Sequence, residues 1–302
     1  MSKTIRIGTR DSELALWQAH KVKSLLEGLG YSTVIKSVKS TGDLNLEEPL
    51  YEMGITGIFT KTLDIALIKG DIDIAVHSMK DVPTALPKGV VEAAVLPRAN
   101  TSDILIHKGL DNYSSSKTIA TGSLRRKAQW LRKYPNHKVV NLRGNVNTRL
   151  QKLNDNHWTG AIFAAAGLER IHLKPKNHIE LDWMIPAPAQ GAMLVVTMDS
   201  NTDCRTALES INHAETALEV KVEREFLKTL EGGCTAPIGA LADIKNNSLS
   251  LKAGLFRLDG TESYTIQEST PLDSIEGFGK RCAEQVLKQG GDQLKKELRK
   301  GL

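Results

Sequence analysis

The chain has 302 residues, 40% hydrophobic and 25% charged, and 40 Lys+Arg against 35 Asp+Glu give a formal net charge of +5. That composition is too apolar for disorder, and the length allows two or three domains with separate cores. No run approaches the roughly 20 apolar residues of a membrane span, and MSKTIRIGTR lacks a signal core, so a cytoplasmic protein without membrane partners is expected.

In chain order, residues 4–9 (TIRIGT) alternate as a strand, and residues 13–29 place Leu14, Trp17, Val22, Leu25 and Leu26 on one helical stripe. Asp11 or Ser12 caps that helix and Gly30 ends it. A strand at 33–38, a glycine-containing loop at 39–58, a helix near 60–69 and strands at 72–76 and 90–96 follow. This alternation predicts an α/β unit with a largely parallel sheet. The pattern restarts after Asp103 with ILI, then a strand at 118–120, a helix at 123–133, a strand at 138–141, a helix at 146–153 and an apolar run at 161–166. The prolines of IPAPAQ (185–190) mark a crossover or hinge before a strand at 193–198. A long amphipathic helix spans 214–230. Strands at 238–241, 248–256 and 263–267 and a closing helix at 275–289 predict a small α+β domain.

The charge is unevenly placed. Residues 98–152 hold twelve basic and two acidic residues, and residues 117–152 hold ten basic residues and no carboxylate. Such asymmetry points to a polyanionic partner, and aromatics at 5% offer few stacking platforms for single-stranded nucleic acid. Arginine recurs where a strand meets a helix. Arg10 and Ser12 lie in GTRDS, Thr121, Ser123, Arg125 and Arg126 in TGSLRRK, and Arg143 and Arg149 in NLRGNVNTRL. Helix N-termini favour anions, so cationic side chains there oppose the helix dipole, a conflict that a bound polyanion would relieve. Guanidinium forks grip carboxylates bidentately, which suggests a substrate with several carboxylates, and phosphates would fit almost as well.

His77-Ser78-Met79-Lys80-Asp81-Val82-Pro83 follows an apolar strand, where α/β sheets place their sites. Asp81 there suits a catalytic carboxylate, with a turn former as the lesser alternative, and His77 suits a local hydrogen bond better than a metal. Cys204, Cys234 and Cys282 form neither CxxC zinc pairs nor a disulfide scaffold, so no metal is expected. Cys204 and Cys282 read as packing residues. Gly232-Gly233-Cys234 leaves a thiol accessible, as a nucleophile or for covalent attachment of a prosthetic group.

Taken together, GTRDSELALWQAH, TGD (41–43), GIFTK (57–61), DIAVHSMKDVP (73–83), GSLRRKAQ, LRGNVNTRL, AAAGLERI, PAPAQGA and LEGGCTAPIGA resemble the porphobilinogen deaminase family, in order and along the whole chain. The resemblance implies two similar periplasmic-binding-protein-like, doubly wound α/β domains, at 1–97 with 194–212 and at 98–193. A C-terminal α+β domain with a three-stranded antiparallel sheet, at 213–302, completes it. It also implies an enzyme that deaminates four porphobilinogen molecules and joins them head to tail on a covalent dipyrromethane primer, releasing hydroxymethylbilane and ammonia. Cys234 matches the primer's thioether position, and Asp81 matches the catalytic aspartate. Ser78, Lys80, Asp43, Thr121, Ser123, Arg125, Arg126 and Arg143 match cofactor-contacting positions. Arg10, Ser12, Phe59, Arg149, Arg170 and Gln190 match substrate-contacting positions. A monomer with porphobilinogen as its small-molecule partner, and no nucleic acid, is expected. The alternative is a non-catalytic cytoplasmic carboxylate-binding module. Two departures stand out: residues 52–57 (EMGITG) lack two lysines frequent in the family, and Ala189 stands where glycine is common.

Overall fold

The structure is a computed structural model that describes residues 4–38, 60–109, 117–231 and 236–301. Among them run β1 (Ile5–Arg10), α1 (Glu13–Gly28), β2 (Thr33–Val38), α2 (Lys61–Lys69), β3 (Ile74–Ser78), a 3-10 turn (Met79–Asp81) and β4 (Val90–Val95). Then come β5 (Asp103–His107), β6 (Thr118–Ala120), α3 (Leu124–Lys133), β7 (Lys138–Val140), α4 (Val146–Asp155), β8 (Gly160–Ala164), α5 (Ala165–Arg170) and β9 (His178–Glu180). The chain continues through β10 (Met193–Met198), α6 (Thr202–Glu209), α7 (Ala214–Thr229), β11 (Ile238–Lys245), β12 (Ser248–Phe256), β13 (Ser263–Pro271), α8 (Phe278–Val286) and α9 (Asp292–Gly301).

The described chain divides into two compact units, one of residues 4–38, 60–99 and 191–218, the other of 100–190 and 219–301. In the first, the sheet order is β2-β1-β3-β10-β4, with β1 parallel to β2 and β3, and β10 antiparallel to both its neighbours. Helices α1 and α6 cover this sheet through Ala19, Val22, Leu26, Ala207 and Leu208, against Ile5, Ile7, Ile74, Val76 and Val195.

The second unit repeats that plan as β7-β6-β8-β5-β9, with β6 parallel to β7 and β8, and β5 antiparallel to β8 and β9. Its sheet is covered on both faces, because successive residues of a strand alternate sides. Ile104, Ala120, Ala161 and Phe163 face one core, and Leu105, Ile119 and Ile162 join Trp130 in another. The same unit carries the antiparallel sheet β11-β12-β13. Val222, Phe226, Phe278, Cys282 and Val286 pack against its strands at Leu251, Ala253 and Leu255. Removing a side chain such as Phe226 from water contributes about 2 to 3 kcal/mol.

Several sequence-based boundaries shift. The buried stripe of α1 centres on Ala15, Ala19, Val22 and Leu26, and Leu14, Trp17 and Leu25 are only half-buried, because small residues allow the helix to lie close on the sheet. The third strand runs Ile74–Ser78 rather than 72–76, since Asp73 N–H already bonds Arg6 O at 2.9 Å and Ser78 still pairs with Met193. The apolar run 161–166 splits at Ala164: Ala165 N–H reaches Ser102 O at 3.0 Å, and the chain then winds into α5. The closing helix does not stop at the Gly290-Gly291 pair. A π turn (Leu287–Gly291) with Gly290 at φ 121° brings the backbone onto Tyr264, where a Cβ would sit 2.6 Å from the hydroxyl, and α9 resumes. The short elements β9 and α6 lack a periodic signature of useful length.

Candidate functional site

In the first unit the site is built on the carboxyl ends of adjacent parallel strands. The register of β1 against β3, with Ile7 opposite Ile74 and Gly8 opposite Ala75, carries Arg10 and His77 to one edge. His77 is buried, and burial first, then the Arg10 charge, lower its pKa to about 4, so it is a neutral imidazole at physiological pH. Ser78 Oγ accepts from Gln18 Nε2 of α1 at 2.9 Å. Ser12 occupies the N-cap of α1, yet its hydroxyl makes no capping hydrogen bond, whereas Ser123 and Asn145 both cap their helices through side-chain oxygens. The helix therefore does not use the Ser12 hydroxyl.

Met79 pins the turn that follows. Its side chain is buried and its N–H bonds Ala192 O at 3.1 Å, while Val82 N–H closes the turn on Met79 O at 3.1 Å. Lys80 and Asp81 are thereby held half-buried at the sheet edge. A carboxylate so placed, with lysine and arginine on the same edge, can bind a cationic centre while its neighbours bind anionic substituents.

In the second unit Thr121 and Ser123 shape the turn between β6 and α3. Thr121 Oγ1 accepts from Ser123 N–H at 3.2 Å, and a Cβ at Gly122 would lie 2.5 Å from Leu142 O, so only glycine lets the two backbones meet. Arg125 and Arg126 are both buried, as is Asp103 at the start of β5. Arg125 Nη1 reaches Asp103 Oδ2 at 2.6 Å, and Arg126 Nη2 reaches Asp103 Oδ1 at 2.8 Å. Arg125 Nη1 also donates to Ile185 O at 2.7 Å, Arg126 Nη1 to Ile162 O at 3.0 Å, and Gln190 Nε2 to Asp103 Oδ1 at 3.0 Å and Thr101 O at 2.8 Å. Burial opposes ionisation of Asp103, but the two guanidiniums and the Gln190 amide outweigh it and hold its pKa well below the carboxylate range.

The conflict between arginine and helix dipole is thus answered by an internal carboxylate. The sequence reading singled out the arginines but not Asp103. One of only two acidic residues in the basic stretch, placed directly before the apolar ILI, it was the available signal. Arg125 Nε is buried without a hydrogen-bond partner among the described residues, and the triad keeps a net positive charge that suits an anionic ligand.

Arg143 is buried in the turn after β7, where Gly144 adopts φ 114°. Arg149 lies half-buried in the first turn of α4. Burial lowers the pKa of Arg170, at the end of α5, to about 10, which still leaves it charged at neutral pH. Gln190 is fully buried, so its amide faces inward on Thr101 and Asp103. Neighbouring Ala189 adopts a left-handed φ of 60° and donates its N–H to Glu223 Oε2 at 2.6 Å. Cys204 and Cys282 are buried free thiols, the packing role read from the sequence. Asp43, Phe59, Cys234 and the 52–57 segment lie outside the described residues. Among the described residues no group of three His, Cys, Asp or Glu gathers as a metal site, and no helix is long and apolar enough to cross a membrane.

A family model described as porphobilinogen deaminase, "dipyromethane cofactor binding domain", matches residues 5–206, and its C-terminal domain model matches residues 217–288. Porphobilinogen deaminase of Geotalea uraniireducens is 39% identical over 302 residues, covering 98% of this chain and 95% of its own. The probable porphobilinogen deaminase of Methanocaldococcus jannaschii is 43% identical over 278 residues, covering 90% and 94%. A substrate binding domain of a putative amino acid ABC transporter from Streptococcus pneumoniae aligns with 69% of this chain and 91% of its own, at TM-score 0.46 and 10% identity.

Proposed function

The chain belongs to the porphobilinogen deaminase family, and from that premise we propose a division of labour between its α/β units. The reaction is a transferase reaction: four porphobilinogen molecules lose ammonia and are joined head to tail on a dipyrromethane cofactor, and water then cleaves the product from the cofactor as hydroxymethylbilane. The reading carries three domains, 1–97 with 194–212, 98–193 and 213–302, working as a monomer in the cytoplasm. The separate cores of the three sheets support that division.

One observation carries the assignment. Arg10, Ser78 and Asp81 beside one sheet, and Thr121, Arg125 and Arg143 beside the other, lie at or just after the carboxyl end of a parallel strand, where α/β sheets bind ligands. Asp81 stabilises the positive charge that develops on the substrate ring as ammonia leaves, on a turn that Met79 keeps rigid. Arg10 and Ser12 hold the acetate and propionate of the ring beside it, and Ser78 and Lys80 contact the cofactor. Thr121, Ser123, Arg125, Arg126 and Arg143 hold the cofactor's carboxylates, with Cys234 as its attachment point and Asp43 as a further contact. Phe59, Arg149, Arg170 and Gln190 complete the substrate surface. When bound, the dipyrromethane supplies a nucleophilic pyrrole carbon to which the first substrate unit is joined.

Intact-protein mass spectrometry tests the reading. The purified protein carries two pyrrole units on the Cys234 peptide, and substrate adds a ladder of further units. A Cys234→Ser protein that is unmodified and fully active overturns it.

A further inference from the structure

A cleft in the second unit adjoins the arginine triad at Ile185. Its volume is about 350 Å³, within the range of small-molecule sites, and it is lined by α3 (Gln129, Arg132, Lys133), by Trp183 and Ile185, and by β12 and β13 (Lys252, Phe256 and Gln267 among them). No carboxylate lines it. Arg132, Lys133 and Lys252 are exposed, and among the described residues none of the three has an ion-pair partner. Lys133 Nζ lies 4.6 Å from the centroid of the Trp183 ring. The cleft therefore combines an aromatic wall, an apolar floor at Ile185 and Phe256, and a cationic rim.

Two features make the cleft a built site. The β12–β13 hairpin closes directly on α3: a Cβ on Gly260 would lie 2.2 Å from Arg132 N, so the hairpin holds the rim in place. Its floor is also continuous with the triad. Ile185 O accepts from Gln129 Nε2 at 2.9 Å and from Arg125 Nη1 at 2.7 Å, and Ile185 N–H donates to Gln129 Oε1 at 2.8 Å. Ile185 packs on Ala128 and Phe256. Anything seated on Phe256 and Ile185 thus touches the residue whose carbonyl holds Arg125.

We propose that this cleft is a regulatory site for a flat aromatic carboxylate, whose ring lies on Trp183 and Phe256 and whose anion meets Lys133, Arg132 and Lys252. Occupancy shifts Ile185 and, through its carbonyl, the setting of Arg125. The binding claim stands on the cleft alone. The regulatory claim rests on the cofactor-holding role proposed for Arg125.

The test uses 1-naphthoate as probe, with 1-naphthamide as its uncharged counterpart, followed by tryptophan fluorescence and by calorimetry on the full chain. Naphthoate saturates, and the amide binds roughly tenfold more weakly or worse. Lys133→Glu and Lys252→Glu each weaken naphthoate roughly tenfold while leaving the thermal transition unchanged, as suits exposed side chains. Trp183→Phe removes most of the fluorescence response. Equal affinity for acid and amide, or naphthoate binding untouched by both lysine reversals, overturns the site, the latter by assigning the probe to other arginines. Saturating naphthoate alters porphobilinogen turnover in the parent and not in Lys252→Glu, and an unaltered parent rate overturns the coupling. A parent without deaminase activity fails the proposed function instead, and calorimetry still decides the cleft.

Discussion

The two five-stranded sheets have one strand order and two chemistries, and the difference begins at a single equivalent position. In each, the fourth strand starts opposite the carboxyl end of the third: Met193 faces Ser78 in the first unit, and Asp103 faces Ala164 in the second. Met193 is core, and the edge beside it carries Lys80 and Asp81 on a short turn. Asp103 is a buried anion, and the edge beside it carries two arginines that a helix start would otherwise disfavour. A shared scaffold thus offers the same ledge twice, and the charge at the root of one strand sets the two apart.

The largest effect that sharpens the contrast is on rate. Asp81→Asn keeps the fold and the covalent primer but loses about a hundredfold to ten-thousandfold in turnover, the span of a removed acid–base or charge-stabilising group. Steady-state assay beside intact mass checks both halves, and a near-parental rate would break the division between units. Next comes Asp103→Ala, which leaves two buried guanidiniums without their carboxylate and costs about 3 to 5 kcal/mol in denaturant unfolding. An unchanged midpoint would show that the triad is dispensable.

The third effect separates the units by pH. His77 has a folded-state pKa of about 4 against 6.5 unfolded, so the unfolded chain binds a proton that the folded chain refuses. Stability is insensitive to this group above pH 6.5 and falls as the pH drops toward 4, by about 3 kcal/mol in all. A His77→Gln variant loses that part of the slope, and parallel pH profiles for parent and variant would refute the assignment. The smallest effect is Ala189→Gly. A left-handed φ of 60° costs a residue with a Cβ roughly 1 to 2 kcal/mol, part of which the lost methyl burial offsets, so the variant gains about 1 kcal/mol or less in thermal unfolding.

Much of this molecule was legible in its residues. β6, β10 and β12 match their predicted bounds, because a period-2 or continuous apolar run is a direct record of burial. The arginine turns were legible as motifs, and the helix expected from about residue 123 begins at Leu124 with Ser123 as its cap. What stayed hidden was relational. Asp103 lies 22 residues before Arg125, and only the sheet brings them together. The cleft that adjoins the triad is likewise assembled from segments as distant as Lys133 and Lys252. The closing helix, expected to end at 289, runs on for a related reason: glycine ends a helix in isolation, but the pair at 290–291 lets the backbone approach Tyr264.

Asp103 also bears on the order of events in the life of a newly made chain. A polypeptide leaves the ribosome without a cofactor, so its arginine turns first fold with no ligand present. A nest of arginines awaiting an absent anion would repel itself and delay that step. With one carboxylate built in as a resident counter-ion, the second unit can close on its own before any ligand arrives.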